Sequence, residues 1–334
     1  MFDYDREGKR IVLTDGAELL VHDGESEAPL WRHTESSDIV GVASLEDRVV
    51  SVDSDGRVCW RDARSGDQLA QVQLDGTPRA LAAGPKGQVA VALPDSVAIM
   101  TAGQLDRHIA VDDPRCLAWS PEGKLGVGSG TGTAYQFGSG ETNEFNADLP
   151  GPIGAIAWNE QGLWVMSVAH DVFRLSSESL GRVTGTPDDT PIQNLACSPG
   201  GHYIAIQCSP SLILVLEYPS RETDAQVRYP DREITGLRFG PPPWLGVGLV
   251  GGDGNKFNLD NGGTNRTDTH EGRDHNRWMV MVNATRSERE SPAPSSGAPA
   301  VAADEAEEET TPLQGIIGVL VLIAILATLY FWLS

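Results

Sequence analysis

The chain has 334 residues, a formal net charge of -22, 37 glycines and 21 prolines. A chain this acidic lacks the clustered cations that contact nucleic acid phosphates, so we exclude nucleic acid as a partner. Its four cysteines have no CxxC spacing, which argues against a zinc site or a disulfide framework. Abundant glycine and proline predict many short turns, and no long helical periodicity occurs before residue 310.

The first 76 residues read as short strands separated by turns. Residues 38–76 show the pattern most clearly, because the Asp55-Gly56 pair there accepts the positive φ that a tight hairpin needs. Residues 1–37 form a similar unit with a short start and an Asp15-Gly16 turn. The predicted strands are 11–14, 18–22, 29–33, 39–43, 48–52, 58–61 and 68–72.

The same unit recurs along the chain. Further copies begin near residues 77, 114, 152, 191 and 234, each with an apolar strand, a polar turn and a second apolar strand. The period of roughly 40 residues is that of one four-stranded propeller blade. Because a small antiparallel sheet cannot bury both faces alone, the copies must pack on one another, and the count predicts seven blades.

These repeats resemble the WD-repeat and quinoprotein-like β-propellers over residues 1–285. The resemblance rests on the SPxG turns at 120–123 and 198–201, and on Trp60-Arg61-Asp62 at a place where WD repeats often carry Trp-Asp. It implies an all-β, seven-bladed propeller, while the irregular stretch 262–283 leaves an eight-bladed ring open. The Leu30-Trp31 pair and residues 65–69 look equally like the tryptophan-bearing quinoprotein-like repeats.

Closure of the ring is predicted to involve residues 277–283, RWMVMVN, which align with the starts of the other repeats. The first blade has only residues 1–4 for its innermost strand. Residues 277–283 therefore either supply that strand or complete the last blade, and both versions remove exposed sheet edges by pairing the two ends of the ring.

The composition changes abruptly after residue 285. Residues 286–312 are rich in Pro, Ala, Ser and acids, which predicts a disordered linker. Residues 313–333 carry no charged side chain, and a helix of that length rises about 31 Å, enough to cross the hydrocarbon core of a bilayer. We therefore predict one C-terminal transmembrane helix that resembles a tail anchor, with the propeller on the cytoplasmic side.

Three arginines form the candidate site. Arg79, Arg115 and Arg277 occupy the same repeat position, just before the innermost strand, so a propeller would place them on one rim of its central channel. Such a cationic rim would hold an acidic peptide or another anion. The alternative is local pairing, for example of Arg115 with Asp112 or Asp113. The sequence offers no catalytic, cofactor-binding or metal-binding set.

The sequence therefore favours a non-catalytic scaffold for protein–protein interactions, held at a membrane through residues 313–333 and needing no cofactor. Its expected partners are proteins at or near that membrane. Three alternatives remain. One is a quinoprotein-like dehydrogenase, which would need an eightfold array with repeated tryptophan docking motifs. Another is an outward-facing envelope-assembly factor, which differs in topology. The third is a cargo or signal sensor coupled to a neighbouring gene product, which only its partners can test.

Overall fold

A computed structural model gives the fold of the chain. All the residues that it describes belong to one compact unit, which runs from residue 1 to residue 290. The described residues are 1–4, 10–23, 29–138, 143–159, 162–167, 170–175, 180–186, 190–198, 201–218, 223–229, 232–239, 244–249, 253–258 and 266–269.

The described residues are almost entirely β-strand and turn. One 3-10 turn, η1 (Pro85–Gly87), interrupts the strands. The first sixteen strands are β1 (Phe2–Tyr4), β2 (Arg10–Asp15), β3 (Glu18–Asp23), β4 (Pro29–Thr34), β5 (Ile39–Ser44), β6 (Arg48–Asp53), β7 (Arg57–Asp62), β8 (Gln68–Gln73), β9 (Ala80–Ala83), β10 (Gln88–Ala92), β11 (Ser96–Thr101), β12 (Gln104–Ala110), β13 (Pro114–Trp119), β14 (Leu125–Ser129), β15 (Thr133–Phe137) and β16 (Asn143–Asp148). The others are β17 (Ile153–Asn159), β18 (Gly162–Ser167), β19 (Asp171–Leu175), β20 (Leu180–Gly185), β21 (Asn194–Cys197), β22 (Tyr203–Ser209), β23 (Leu212–Glu217), β24 (Thr223–Arg228), β25 (Ile234–Phe239), β26 (Trp244–Leu249), β27 (Asp253–Asn258) and β28 (Arg266–Thr269).

The strands form antiparallel up-and-down sheets in chain order. The first strand of each sheet contacts the first strand of the next, and β1 contacts both β5 and β25. The first strands therefore surround a central axis, and the sheets close into a ring. This arrangement is a β-propeller, so the predicted all-β propeller class is confirmed.

The predicted number of blades is wrong. Strands β1–β20 form five four-stranded blades, whereas β21–β24 with β28 form a five-stranded sheet and β25–β27 a three-stranded one. The difference arises because β28 pairs in parallel with β24 and does not extend the last sheet. Five regular blades and two irregular sheets therefore replace the seven regular blades expected, and no eighth sheet occurs within the described ranges.

The strand predictions for the first two repeats are confirmed to within one residue at each end. The second-to-third hairpin of the second sheet has three loop residues, since β6 ends at Asp53 and β7 starts at Arg57. Gly56 lies at φ +86 and its N–H donates to Asp53 O at 3.1 Å. Only the glycine of the Asp55-Gly56 pair thus takes the positive φ, which suits a three-residue hairpin.

Burial within a sheet follows strand position. The second strand β6 has five consecutive buried residues, whereas the outer strand β8 alternates between exposed and half-buried ones. The second strands are covered on both faces because each sheet packs between two neighbours. Between the second and third sheets, Val50, Val52 and Trp60 pack against Val89 and Val91. This inter-sheet packing explains the continuous apolar runs in the sequence.

The outer strands share a β-bulge. In six sheets the pairing of the third strand with the fourth skips one residue of the fourth strand, which increases the local twist and interrupts the hydrogen-bond pattern. In the five sheets whose fourth strand is the edge, the bulge makes that edge a poor template for pairing with another chain. The skipped residues are Leu30, Leu69, Asp106, Glu144, Val183 and Asp224.

Asp3 of β1 connects the first sheet to both of its neighbours. Its Oδ2 accepts a hydrogen bond from the Ser44 N–H at 2.8 Å, and its Oδ1 lies 3.1 Å from Arg238 Nε. Ser44 belongs to the second sheet and Arg238 to the last. Strand β1 therefore takes the innermost position of the first sheet. The prediction that residues 277–283 supply that strand is wrong.

Several predicted segments lie outside the described residues. They are residues 277–283, which were predicted as an alternative to complete the last blade, the linker at 286–312 and the transmembrane helix at 313–333. Within the described ranges, no helix has the length and apolar character needed to cross a bilayer.

Candidate functional site

The candidate site lies where the inner strands begin. In four sheets the inner strand carries a β-bulge at its second residue, which is skipped in the pairing with the next strand. A bulge re-aims the side chain that it carries. The bulged residues are Val40, Arg115, Gly154 and Thr235.

Arg79 occupies the corresponding place in the third sheet, one residue before β9, where its N–H donates to Ala92 O. Arg79 and Arg115 therefore come from equivalent positions in adjacent sheets. The structure brings them together on one carboxylate, that of Asp113. Arg79 Nη1 donates to Asp113 Oδ1, and Arg115 Nε donates to Asp113 Oδ2 at 3.1 Å. Arg115 Nη2 also lies 3.1 Å from Oδ2.

The backbone around Asp113 fixes the position of this carboxylate. Asp113 has φ +48, the left-handed region that Asp adopts more readily than most residues. Its carbonyl accepts the Gly130 N–H at 2.8 Å. A Cβ on Gly130 would lie only 1.8 Å from Asp113 Oδ2, so the carboxylate rests directly on the backbone of the facing hairpin. Only glycine leaves room for it there.

The cluster has a positive balance and is open to solvent. The exposed fractions of the side chains are 37% for Arg79, 51% for Arg115 and 26% for Asp113. Hydrogen bonding from Arg79, with a further contribution from Arg115, holds the pKa of Asp113 below its ordinary value of 3.8. The carboxylate is therefore ionised at neutral pH, and one negative charge faces two positive ones.

Part of each guanidinium is unused. No residue of the described part of the chain accepts a hydrogen bond from Arg79 Nε, Arg79 Nη2 or Arg115 Nη1. These donors can receive a further oxyanion in the planar geometry that guanidinium groups favour. The local pairing of Arg115 with Asp113, considered as an alternative, is thus present. It leaves some donors of both guanidiniums without an acceptor among the described residues.

The position is filled differently in the sixth sheet. Gln193 takes the place of the arginine, and its Oε1 accepts from Gln207 Nε2 at 2.7 Å. Gln207 Oε1 in turn accepts from Asn194 Nδ2 at 2.6 Å, and Gln207 Nε2 also reaches Ile234 O at 3.2 Å. These contacts tie the sixth sheet to the seventh, so this part of the rim is neutral and structural.

The third predicted arginine, Arg277, lies outside the described residues. Sequence reasoning named Asp113 only as an example of a local partner for Arg115, and it did not predict that Arg79 would share it. The available signal was the run Asp112-Asp113-Pro114-Arg115, in which a carboxylate stands two residues before the arginine.

A second arginine–carboxylate cluster is buried between the first and second sheets. Glu35, just after β4, accepts hydrogen bonds through Oε1 from Ser51 Oγ at 3.1 Å and from Arg61 Nη2 at 3.2 Å. The Glu35 and Arg61 side chains are only 5% and 6% exposed. His33 Nε2 lies 3.7 Å from the other oxygen, Glu35 Oε2. A buried ion pair with satisfied hydrogen bonds serves the contact between the sheets.

The four cysteines are free and poorly reactive. Burial raises the pKa of Cys59 and Cys208 to about 11 and that of Cys116 to about 12, and it also raises the pKa of Cys197. Thiols this basic remain protonated at neutral pH and are weak nucleophiles. Among the described residues, no group of three or more His, Cys, Asp or Glu side chains is arranged to hold a metal ion.

Two tryptophans dock on glycines of neighbouring sheets. The Trp31 indole donates to Ala63 O at 3.1 Å and lies against Gly66, while the Trp119 indole donates to Ala82 O at 3.2 Å and lies against Gly84. The two contacts join sheets at different radii, because Trp31 is on an outer strand and Trp119 on an inner one.

No protein-family model and no curated protein matches this sequence. In structure, the chain is similar to the β-propeller domain of Cps50 (Swd1) from Myceliophteria thermophila, with a TM-score of 0.67. The superposition covers 77% of this chain and 95% of that domain, at 14% sequence identity. At this identity the similarity concerns the fold alone. It confirms the propeller part of the resemblance seen in the sequence, and the chain therefore has the β-propeller fold.

Proposed function

We propose that this protein is a non-catalytic scaffold for protein–protein interactions, held at a membrane through residues 313–333 with the propeller on the cytoplasmic side. The observation that carries the scaffold role is the closed ring of sheets. Its sheets are built of short strands and pack side by side around one axis, which suits the display of binding residues on a rigid frame.

The channel rim is the proposed binding surface, with Arg79, Arg115 and Arg277 as its cationic residues. Two features support this role. The guanidinium groups of Arg79 and Arg115 are half-exposed and keep unused donors, and the pair outweighs its single carboxylate in charge. An acidic group of a partner would therefore find a preformed pair of arginines at this rim.

Membrane confinement rests on the sequence. Residues 313–333 form an uncharged stretch of the length that spans a bilayer. Confinement would raise the effective concentration of any partner on the same membrane. The four free cysteines suit a reducing compartment, which supports the cytoplasmic side.

The scaffold role is tested by purifying tagged full-length protein in a mild detergent and identifying co-purifying proteins by mass spectrometry. A fragment ending at residue 290, where the compact unit ends, is purified in parallel. We expect a near-stoichiometric partner with both proteins, since the binding surface lies on the propeller. Absence of a partner with either protein, together with a cofactor absorbance in the visible range, would point to the dehydrogenase alternative.

The membrane role has a separate test. Full-length protein should remain in the membrane pellet after alkaline carbonate extraction, whereas the 1–290 fragment should be released. Protease added to sealed inverted vesicles should digest the propeller if it faces the cytoplasm. Protection in those vesicles, with digestion in right-side-out vesicles, would favour the outward-facing assembly factor.

A further inference from the structure

We infer that Arg79 and Arg115 form a clamp for a single carboxylate of a protein partner, and that Asp113 occupies this clamp in the free protein. The inference rests on the proposed scaffold function, which it deepens by naming the chemistry that the rim recognises. Asp113 then acts as an intramolecular ligand, and the carboxylate of the partner replaces that of Asp113 on binding.

The geometry of the cluster is that of a ligand site. The two guanidiniums reach the same carboxylate from the third and fourth sheets, one on each oxygen. A carboxylate that joins two sheets through exposed side chains contributes little to folding, because solvent screens the pair. The same two guanidiniums nevertheless define where an incoming carboxylate would sit and how it would be oriented.

The loop geometry makes exchange feasible. Asp113 is held at φ +48 by its own backbone hydrogen bond to Gly130, not by its side chain. The main chain can therefore keep its course when the carboxylate leaves the arginines. The side chain is one-quarter exposed and has solvent beside it to turn into. Its departure would open both guanidiniums at once.

The surroundings select among anions. Loops before the first strands and second-to-third hairpins lie at the same end of an antiparallel propeller sheet. These loops carry exposed Asp75 and Asp95. This acidic field repels polyanions such as phosphate-rich membrane surfaces and polyacidic segments. It favours a segment with one carboxylate flanked by basic side chains.

The test measures binding of a probe peptide, N-acetyl-Lys-Asp-Lys amide, to purified full-length protein by calorimetry. Asp113→Asn should bind this peptide about tenfold more tightly than wild type, since an internal ligand that fills the clamp about nine-tenths of the time lowers the apparent affinity by that factor. Asp113→Gly, which suits a positive φ, should behave in the same way and guards against misfolding of the Asn variant.

Asp112→Asn is the matched control. It removes the same charge one residue away, and Asp112 contributes its backbone carbonyl, not its side chain, to the bond with Ser129 Oγ. It should leave the affinity within about twofold of wild type, because only a surface charge changes. The double variant R79Q/R115Q should lose binding in both the wild-type and the Asp113→Asn background.

Three results of the binding measurements would overturn the inference. The first is an unchanged affinity in both Asp113 variants. The second is a gain in peptide affinity that Asp112→Asn also shows, or that persists when R79Q/R115Q is combined with Asp113→Asn. The third is an equal gain for inorganic phosphate, which would make the site unselective. A partner that co-purifies normally with R79Q/R115Q would also contradict the inference, although it would leave the scaffold role intact. Peptide binding as expected, without any co-purifying protein, would support the clamp and count against the scaffold role.

Discussion

Two arginine–carboxylate clusters in this ring use the same chemistry in different surroundings. Between the first and second sheets, Glu35 and Arg61 are almost fully buried, and Ser51 donates a further hydrogen bond to the carboxylate. Where the inner strands of the third and fourth sheets begin, Arg79, Arg115 and Asp113 are open to solvent and unbalanced in charge. The first cluster cannot exchange partners without exposing the space between the sheets, whereas the second can. Burial therefore separates a structural ion pair from the cluster that we propose as a binding site.

The largest effect should follow from Glu35→Ala. The substitution leaves the Arg61 guanidinium buried without its carboxylate, which costs about 3–5 kcal/mol in the free energy of unfolding. Urea titration followed by circular dichroism measures this loss. The double variant E35L/R61L should recover much of it, because no charge then remains buried. A loss below about 1 kcal/mol would mean that the cluster behaves as a surface pair.

Asp3→Ala should have the next largest effect, because Asp3 ties the first sheet to the second and the last. The Ser44 N–H loses its hydrogen-bond acceptor, and Arg238 loses its contact with Asp3. We expect a loss of about 1–3 kcal/mol, the usual cost of leaving a backbone N–H without its acceptor. Asp47→Ala is the control, because the Asp47 side chain is 76% exposed and pairs with Arg48 at the surface. If the two variants lose equal stability, Asp3 does not close the ring.

The sequence predicted most of this architecture because each repeat is locally encoded. Turns with glycine or proline alternate with short apolar runs, and the inner strands begin where the repeats align. The count of regular blades failed at β28, whose parallel pairing with β24 depends on contacts that no local pattern specifies.

The two clusters were predictable to different degrees. Arg79 and Arg115 could be assigned to equivalent positions in adjacent sheets because they share a repeat position. Their common partner could not be predicted, because it depends on the left-handed backbone of Asp113 and on the close approach of Gly130. The Glu35–Arg61 pair was missed because it joins residues 26 positions apart across two sheets.

The pH dependence of stability tests the cost of protonating a buried side chain, with no ion pair removed. His22 is buried, and its Nδ1 has no hydrogen-bond partner among the described residues. Burial, with a smaller contribution from Arg32, lowers the pKa of His22 below 6.5. The unfolded chain therefore binds a proton more readily, so this residue's contribution is present above pH 6.5 and is lost as the pH falls through the lowered pKa.

His22→Gln should flatten the decline in melting temperature between neutral pH and pH 5. His108→Gln is the control, because His108 is exposed and its imidazole meets solvent in the folded and unfolded chain alike. An identical pH profile for His22→Gln and wild type would remove His22 as the cause of acid sensitivity.

The smallest effect on stability should come from Asp113→Asn, although this variant should change binding the most. Near neutral pH, its urea midpoint should lie only slightly below that of wild type, because solvent screens an ion pair this exposed. The lowered pKa of Asp113 adds stability that is present above pH 3.8 and is lost as the pH falls through the lowered value, so wild type and variant should converge in acid. A loss at neutral pH comparable to that of Glu35→Ala would make Asp113 a structural residue. Burial would then not distinguish the two clusters, and a partner carboxylate could not replace that of Asp113 without loss of stability.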